Sequence, residues 1–225
     1  MLKNIKGAIF DMDGTLIDSL MLWDIIWGKF GEKFLSGVRF TPTEDDDKAV
    51  RTMTLKEAMD YIHSVYNIGN SGEELFHTTN EIIKKFYASE VNLKKGVLEF
   101  LEYCQAHNIK MCIASATDKD LIKIAVQHCS IGKYFTTLLS CAEIGKGKEH
   151  PDIYLKALDS LGTSTEETCV FEDSHIAIET ADRIGMKTVG IYDKYNYGQE
   201  EMKKVATSYI AEGETLKKLI DNTNI

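Results

Sequence analysis

Residues 7–15 read Gly7-Ala8-Ile9-Phe10-Asp11-Met12-Asp13-Gly14-Thr15, a short apolar run that ends on two carboxylates two positions apart. Gly7 to Phe10 has the length and apolarity of a strand buried on both faces. Carboxylates placed directly after such a strand are costly unless a cation or a proton offsets them. Gly14 permits the sharp backbone turn by which the chain leaves the strand.

Beyond this segment, short runs rich in β-branched residues alternate with longer amphipathic ones. Further strands are predicted at Lys110–Ala114, Thr136–Ser140, Thr168–Phe171, Lys187–Ile191 and Tyr209–Ala211. Helices are predicted near Gly96–His107, Lys119–His128, Asp152–Leu161, Ser174–Ile184 and Tyr197–Val205, with Gly132, Gly162 and Gly185 at helix ends as left-handed caps. Buried strands separated by helices imply an α/β fold, a doubly wound (Rossmann-like) parallel sheet. The alternation fails from about Leu20 to Glu90, where Trp23, Ile26, Trp27 and Phe30 recur at helical spacing, as do Met53, Leu55, Met59 and Ile62, and then Leu75, Ile82, Ile83 and Phe86. The expected organisation is an α/β catalytic core of residues 1–18 and 91–225, interrupted by a helical cap domain of residues 19–90. Such an insert would sit above the carboxyl ends of the strands, where open α/β sheets bind ligands.

The other strand ends carry chemistry too. Val170-Phe171-Glu172-Asp173-Ser174 ends a strand on a second acidic pair, so a parallel sheet can bring Asp11, Asp13 and Asp173 to one edge. An all-oxygen cluster of this kind suits Mg²⁺, although Glu172-Asp173 and Ser174 also suit the cap of the following helix. Met111-Cys112-Ile113-Ala114 delivers Ser115, then Ala116, Thr117 and Asp118; a hydroxyl and backbone N–H groups at such a junction can hold phosphoryl oxygens. Gly145-Lys146-Gly147-Lys148-Glu149-His150-Pro151-Asp152 sets two lysines before a helix start. Lys146 fits a solvated loop. Lys148 could neutralise Asp11 and an incoming phosphate, since attack of one anion on another requires a cation.

These four segments, in this order, resemble the haloacid dehalogenase superfamily, in the subgroup with a helical cap after the first strand. The D-x-D-G-T motif is Asp11 to Thr15, the Ser/Thr motif matches Ser115, and the lysine motif matches Lys148 by its spacing to Pro151-Asp152. The final E-D-S motif is Glu172-Asp173-Ser174. Two positions depart from the pattern: Glu149 replaces a proline of the lysine motif, and Ala177 replaces a glycine after E-D-S. The resemblance implies that Asp11 attacks phosphorus to form an aspartyl-phosphate, and that Asp13 protonates the leaving oxygen and then activates water. It implies Mg²⁺ held by the Asp11 carboxylate, the Asp13 backbone carbonyl and Asp173, with Glu172 contributing nearby or through water. The dehalogenases lack the second aspartate, so Asp13 favours phosphoryl chemistry.

The expected activity is therefore Mg²⁺-dependent hydrolysis of a small phosphate monoester, such as a sugar phosphate. Residues 18–24, Asp18-Ser19-Leu20-Met21-Leu22-Trp23-Asp24, are similar to the same stretch in bacterial sugar- and hexitol-phosphate phosphatases. The alternative is a β-phosphoglucomutase-like enzyme, which shares all four motifs but carries a histidine near the position of Trp23. A catalytically silent member of the fold is the third reading, and the intact Asp11, Asp13, Lys148 and Asp173 oppose it. Candidate substrate contacts are Trp23, Arg51, Thr52 and Met53 in the helical block, and Ala116 and Thr117 directly after Ser115.

Composition narrows the partners. The 225 residues carry 35 acidic and 26 basic side chains, a formal charge of −9, which repels nucleic acid and anionic membrane and leaves a small-molecule phosphate ester as the expected partner. No apolar run reaches the length of a membrane span, and the chain opens on a strand-like segment in place of a signal peptide. The five cysteines (Cys104, Cys112, Cys129, Cys141, Cys169) lack C-x-x-C spacing and read as reduced core residues of a cytoplasmic protein. Glu44-Asp45-Asp46-Asp47 reads as a solvated helix start with Thr43 as N-cap, and none of the six histidines has ligand spacing.

Overall fold

The computed structural model describes residues 4–50 and 53–221, which form two compact units: residues up to Leu20 together with those from Val91 onward, and Met21–Glu90. In the first unit the strands are β1 (Gly7–Phe10), β2 (Lys110–Ser115), β3 (Phe135–Ser140), β4 (Thr168–Glu172), β5 (Lys187–Ile191) and β6 (Ser208–Ile210). The second unit holds α1 (Leu22–Phe34), α2 (Glu44–Val50), α3 (Leu55–Tyr66) and α4 (Gly72–Ser89). After it come α5 (Val97–Ala106), α6 (Lys119–His128), α7 (Cys141–Ile144), α8 (Asp152–Leu161), α9 (His175–Arg183), α10 (Gln199–Val205) and α11 (Lys217–Asp221), with a 3₁₀ turn at Gly132–Tyr134.

All six strands are parallel, in the order β3-β2-β1-β4-β5-β6. The chain builds outward from β1 to β3 on one side, then returns to lay β4 to β6 on the other. The reversal falls between β1 and β4, and the crevice beyond the carboxyl ends of those two strands is where a doubly wound sheet takes its ligand. Central strands need apolar residues on both faces: every residue of β1 and β4 is buried. Phe10 stacks on Phe171 at 4.6 Å and meets Phe100 and Phe135 edge-on at 6.1 Å each, geometries favoured by the ring quadrupoles. This aromatic layer lies directly beneath the acidic strand ends.

Two local readings change. Gly162 (φ 65°) and Gly185 (φ 84°) take the left-handed conformation at helix ends, but Gly132 does not; Ser130 (φ 57°) makes that turn two residues earlier, and Gly132 opens the 3₁₀ turn instead. In the helical unit, Thr43 accepts the Asp46 N–H at 3.2 Å as an N-cap should, yet the acidic run is more than a solvated helix start. Asp46 also accepts hydrogen bonds from the Tyr61 and Tyr66 hydroxyls, and Asp47 accepts one from the Trp27 indole at 2.8 Å. These bonds join α2 to α1 and α3, over an aromatic cluster of Trp27, Phe30, Phe40 and Tyr66. Thr54 and Glu57 form a reciprocal capping box at the start of α3. No helix among the described residues is long and apolar enough to cross a membrane.

Candidate active site

Register brings the first two carboxylates together. Phe10 pairs with Phe171 across the β1–β4 ladder, and the Asp11 N–H continues it by donating to the Phe171 carbonyl at 2.9 Å. One residue further along each strand stand Asp11 and Glu172, both buried. The Lys148 ammonium, on the loop before α8, bonds to Asp11 Oδ1 and to Glu172 Oε2, the latter at 2.7 Å. Glu172 Oε1 accepts the Ser174 N–H at 3.3 Å, so Glu172 and not the Ser174 side chain serves the start of α9.

Asp173 follows on the same side. Its Oδ1 accepts the Thr15 hydroxyl at 3.2 Å and its Oδ2 accepts the Asn196 amide at 2.8 Å. Gly14 lies against this carboxylate: a Cβ there would stand 2.2 Å from Asp173 Oδ2, and the Gly14 φ of 75° also disfavours any side chain. Glycine in the first motif therefore serves a close approach as well as a turn.

Asp11, Glu172 and Asp173 each offer a carboxylate oxygen within 4.8 Å of the others. Burial pushes all three above the ordinary carboxylate range, Asp173 to about 7, with Asp11 the next contribution for both Glu172 and Asp173; the attraction of Lys148 opposes the rise. For Lys148 burial acts downward, but Asp11 and Glu172 outweigh it and hold the ammonium well above its ordinary value. Three buried carboxylates with one bonded ammonium leave room for another positive charge, and the hard oxygen donors fit Mg²⁺.

Asp13 belongs to a different environment. Its Oδ1 accepts the Ser19 hydroxyl and its Oδ2 the Thr117 hydroxyl, each at 2.7 Å. Ser115 is buried at the end of β2, and its Oγ accepts the Thr117 N–H at 3.1 Å. This turn carries Ala116 and presents Thr117 to Asp13. Ser140, at the end of β3, donates to the Thr117 carbonyl at 2.8 Å and fixes the turn from behind.

The remaining expected positions have other surroundings or fall outside the described residues. Trp23 is a half-buried residue of α1, tilted against Trp27 at 5.3 Å. Arg51 and Thr52 lie outside the described residues. His150 is exposed and His175 packs on Gly198. Glu149 offers its carbonyl to Arg183 at 3.1 Å, and Ala177 is fully buried within α9. Sequence reasoning missed Ser19, Lys94, Asp193 and Asn196. Ser19 stood inside a quoted stretch and was a findable hydroxyl; the other three belong to no motif. Lys94 donates to the carbonyls of Gly14 and Tyr192 and to Asp193 Oδ2 at 2.8 Å, while Asp193 is buried.

The sequence profile of the haloacid dehalogenase-like hydrolases matches residues 8–191. The chain is similar to a phosphorylated carbohydrates phosphatase of Thermotoga maritima, 26% identical over 96% of this chain and 98% of the relative. It is also similar to the protein CbbY of Rhodobacter capsulatus, 26% identical over 87% of this chain and 89% of the relative. Among solved structures, one from Thermotoga maritima provisionally assigned as a β-phosphoglucomutase superposes with a TM-score of 0.81 at 26% identity, covering 96% of this chain and 99% of the other.

Proposed function

Because the chain belongs to the haloacid dehalogenase-like hydrolases and is a phosphoric monoester hydrolase, we propose that it dephosphorylates a phosphorylated carbohydrate through an aspartyl-phosphate on Asp11. The observation that carries this reading is the Lys148 ammonium seated between Asp11 and Glu172, next to Asp173, at the point where the strand order reverses.

In the first step a carboxylate oxygen of Asp11 forms a bond to phosphorus as the ester P–O bond breaks. Lys148 lowers the repulsion between that carboxylate and the phosphoryl oxygens. Asp13, oriented by Ser19 and Thr117, supplies the proton that the departing alkoxide takes. In the second step Asp13, now ionised, accepts a proton from water, the water oxygen bonds to phosphorus, and the bond to Asp11 breaks to release inorganic phosphate. The Ser115 hydroxyl and the backbone N–H of Ala116 are the proposed holders of phosphoryl oxygens, the Thr117 N–H being engaged by Ser115 Oγ. Mg²⁺ would be held by Asp11, Asp173 and the Asp13 backbone carbonyl, with Glu172 directly or through water. When bound it supplies positive charge that screens the carboxylates and polarises the phosphoryl group. Trp23, Arg51 and Thr52 remain the proposed substrate-selecting positions of the helical unit.

The Thermotoga maritima relative's name supports a carbohydrate phosphate as substrate. The similarity to a structure assigned as a β-phosphoglucomutase favours one second reading, return of the phosphoryl group to a sugar hydroxyl. The test is a panel of phosphorylated metabolites, glucose 1-phosphate and glucose 6-phosphate included, with Mg²⁺ or excess chelator, for the wild type and Asp11→Asn. Release of phosphate that needs Mg²⁺ and falls by several orders of magnitude in Asp11→Asn is the expected result. Interconversion of the glucose phosphates with little free phosphate would replace the phosphatase by the mutase. Asp11→Asn turnover within tenfold of wild type would remove the covalent mechanism.

A further inference from the structure

A chain of contacts outside the four motifs ties the two aspartate loops together. The Lys94 ammonium bonds to the Gly14 carbonyl, between Asp13 and Thr15, and at 2.8 Å to Asp193 Oδ2. Asp193 is 4% exposed and heads the turn after β5. Its Oδ1 accepts the Tyr195 N–H at 2.9 Å, and its carbonyl accepts the Asn196 N–H at 3.1 Å and the Gln199 amide at 3.2 Å. From that turn, Asn196 Nδ2 donates to Asp173 twice, to Oδ2 at 2.8 Å and to the carbonyl at 3.0 Å. The amide orientation follows from the second contact of the side chain, since Asn196 Oδ1 accepts the Tyr197 N–H at 2.9 Å.

The consequence is a carboxylate with little freedom. Asp173 has Thr15 on one oxygen, Asn196 on the other, and the Gly14 backbone against its face. A carboxylate held by neutral donors keeps acceptor lone pairs for a cation, and pays no ordering cost when the cation arrives. We infer that Asn196 is a positioning residue that fixes the Asp173 carboxylate for cation binding, and that the Lys94–Asp193 pair sets the turn carrying Asn196 relative to the Asp11–Thr15 loop. This rests on the reading of Asp173 as a Mg²⁺ ligand. Among the described residues Asn196 has no hydrogen bond to Asp11 or Lys148, so its effect belongs to the cation and not to the nucleophile.

The test is Mg²⁺ binding by isothermal titration calorimetry, with no substrate present, for the wild type, Asp173→Ala, Asn196→Ala and the near-isosteric Asn196→Leu. Thermal unfolding in chelator checks that each variant is folded, and Asn196 is half-buried in a surface turn, a site that tolerates change. Loss of outer hydrogen bonds to a metal ligand commonly weakens the metal by ten- to a hundredfold. Both Asn196 variants should therefore bind Mg²⁺ at least about tenfold more weakly, and saturating Mg²⁺ should return their turnover to near the wild-type value. If Asp173→Ala loses Mg²⁺ while both Asn196 variants bind it as the wild type does, the positioning role is wrong. If Asp173→Ala itself binds Mg²⁺ normally, the metal-site reading fails first.

Discussion

The Lys148 ammonium is bonded to Asp11 Oδ1 from 137 residues away in the chain, with 11% of the lysine side chain and 6% of the aspartate side chain reached by solvent. A buried pair of this kind is poor evidence for stability but strong evidence of a site. Desolvation of the two charges consumes most of what their attraction returns, whereas removing one partner strands the other. Glu172 shares the same ammonium at 2.7 Å, so two carboxylates depend on one cation.

Replacement of that cation has a defined cost. Lys148→Met leaves Asp11 and Glu172 buried without it, and breaking such a pair costs about 3–5 kcal/mol. Urea unfolding at pH 8 in chelator should show a loss of that order. The loss should shrink as pH falls, because the stranded carboxylates take up protons. A loss independent of pH would mean that packing, and not charge, holds Lys148 in place.

Asp173 carries a pH signature that can be isolated from the other acids. Its pKa rises from 3.8 to about 7, first through burial and then through Asp11. The folded protein thus binds this proton more tightly than the unfolded chain does. The associated stability is complete below about pH 4 and is lost as pH climbs through 7. Asp173→Asn cannot titrate there, so in chelator the stability of wild type minus variant should fall across that window, by at most about 1.4 kcal/mol per pH unit. Thermal melts from pH 4 to 8 measure it, and Mg²⁺ should restore the wild type at high pH. A flat difference would show that the Asp173 carboxylate is ionised throughout.

The sheet was legible because its strands are short apolar runs with chemistry at their ends, and no strand boundary shifts by more than one residue between reading and structure. The acidic pair Glu172-Asp173 could be aligned with Asp11 because a parallel sheet leaves little choice of edge. Lys94, Asp193 and Asn196 were not legible, since their partners lie 80 to 99 residues away for Lys94 and 23 for Asn196, and nothing local marks them. Asp46 and Asp47 were misjudged for a related reason. Their tyrosine and tryptophan partners sit on other helices, and a charge run carries no trace of such partners. Short α7 escaped because four residues give no periodicity; only Ser140, whose Oγ accepts the Ala142 N–H, marked its start.

The proposed mechanism depends most on Asp11 forming a bond to phosphorus while Asp13 moves protons. Asp13→Asn keeps the backbone carbonyl and one acceptor oxygen for a neighbouring hydroxyl but cannot act as acid or base. An aryl phosphate needs little protonation of its leaving oxygen, so the first step should survive better with it than with a sugar phosphate. The second step needs a base with either substrate. The measurement is intact mass of Asp13→Asn after rapid quench with an aryl phosphate and Mg²⁺, followed by peptide mapping. The expected result is one added phosphoryl group on Asp11, with turnover reduced less for the aryl than for the sugar ester. Unmodified protein, with both substrates slowed equally, would contradict the two-aspartate mechanism.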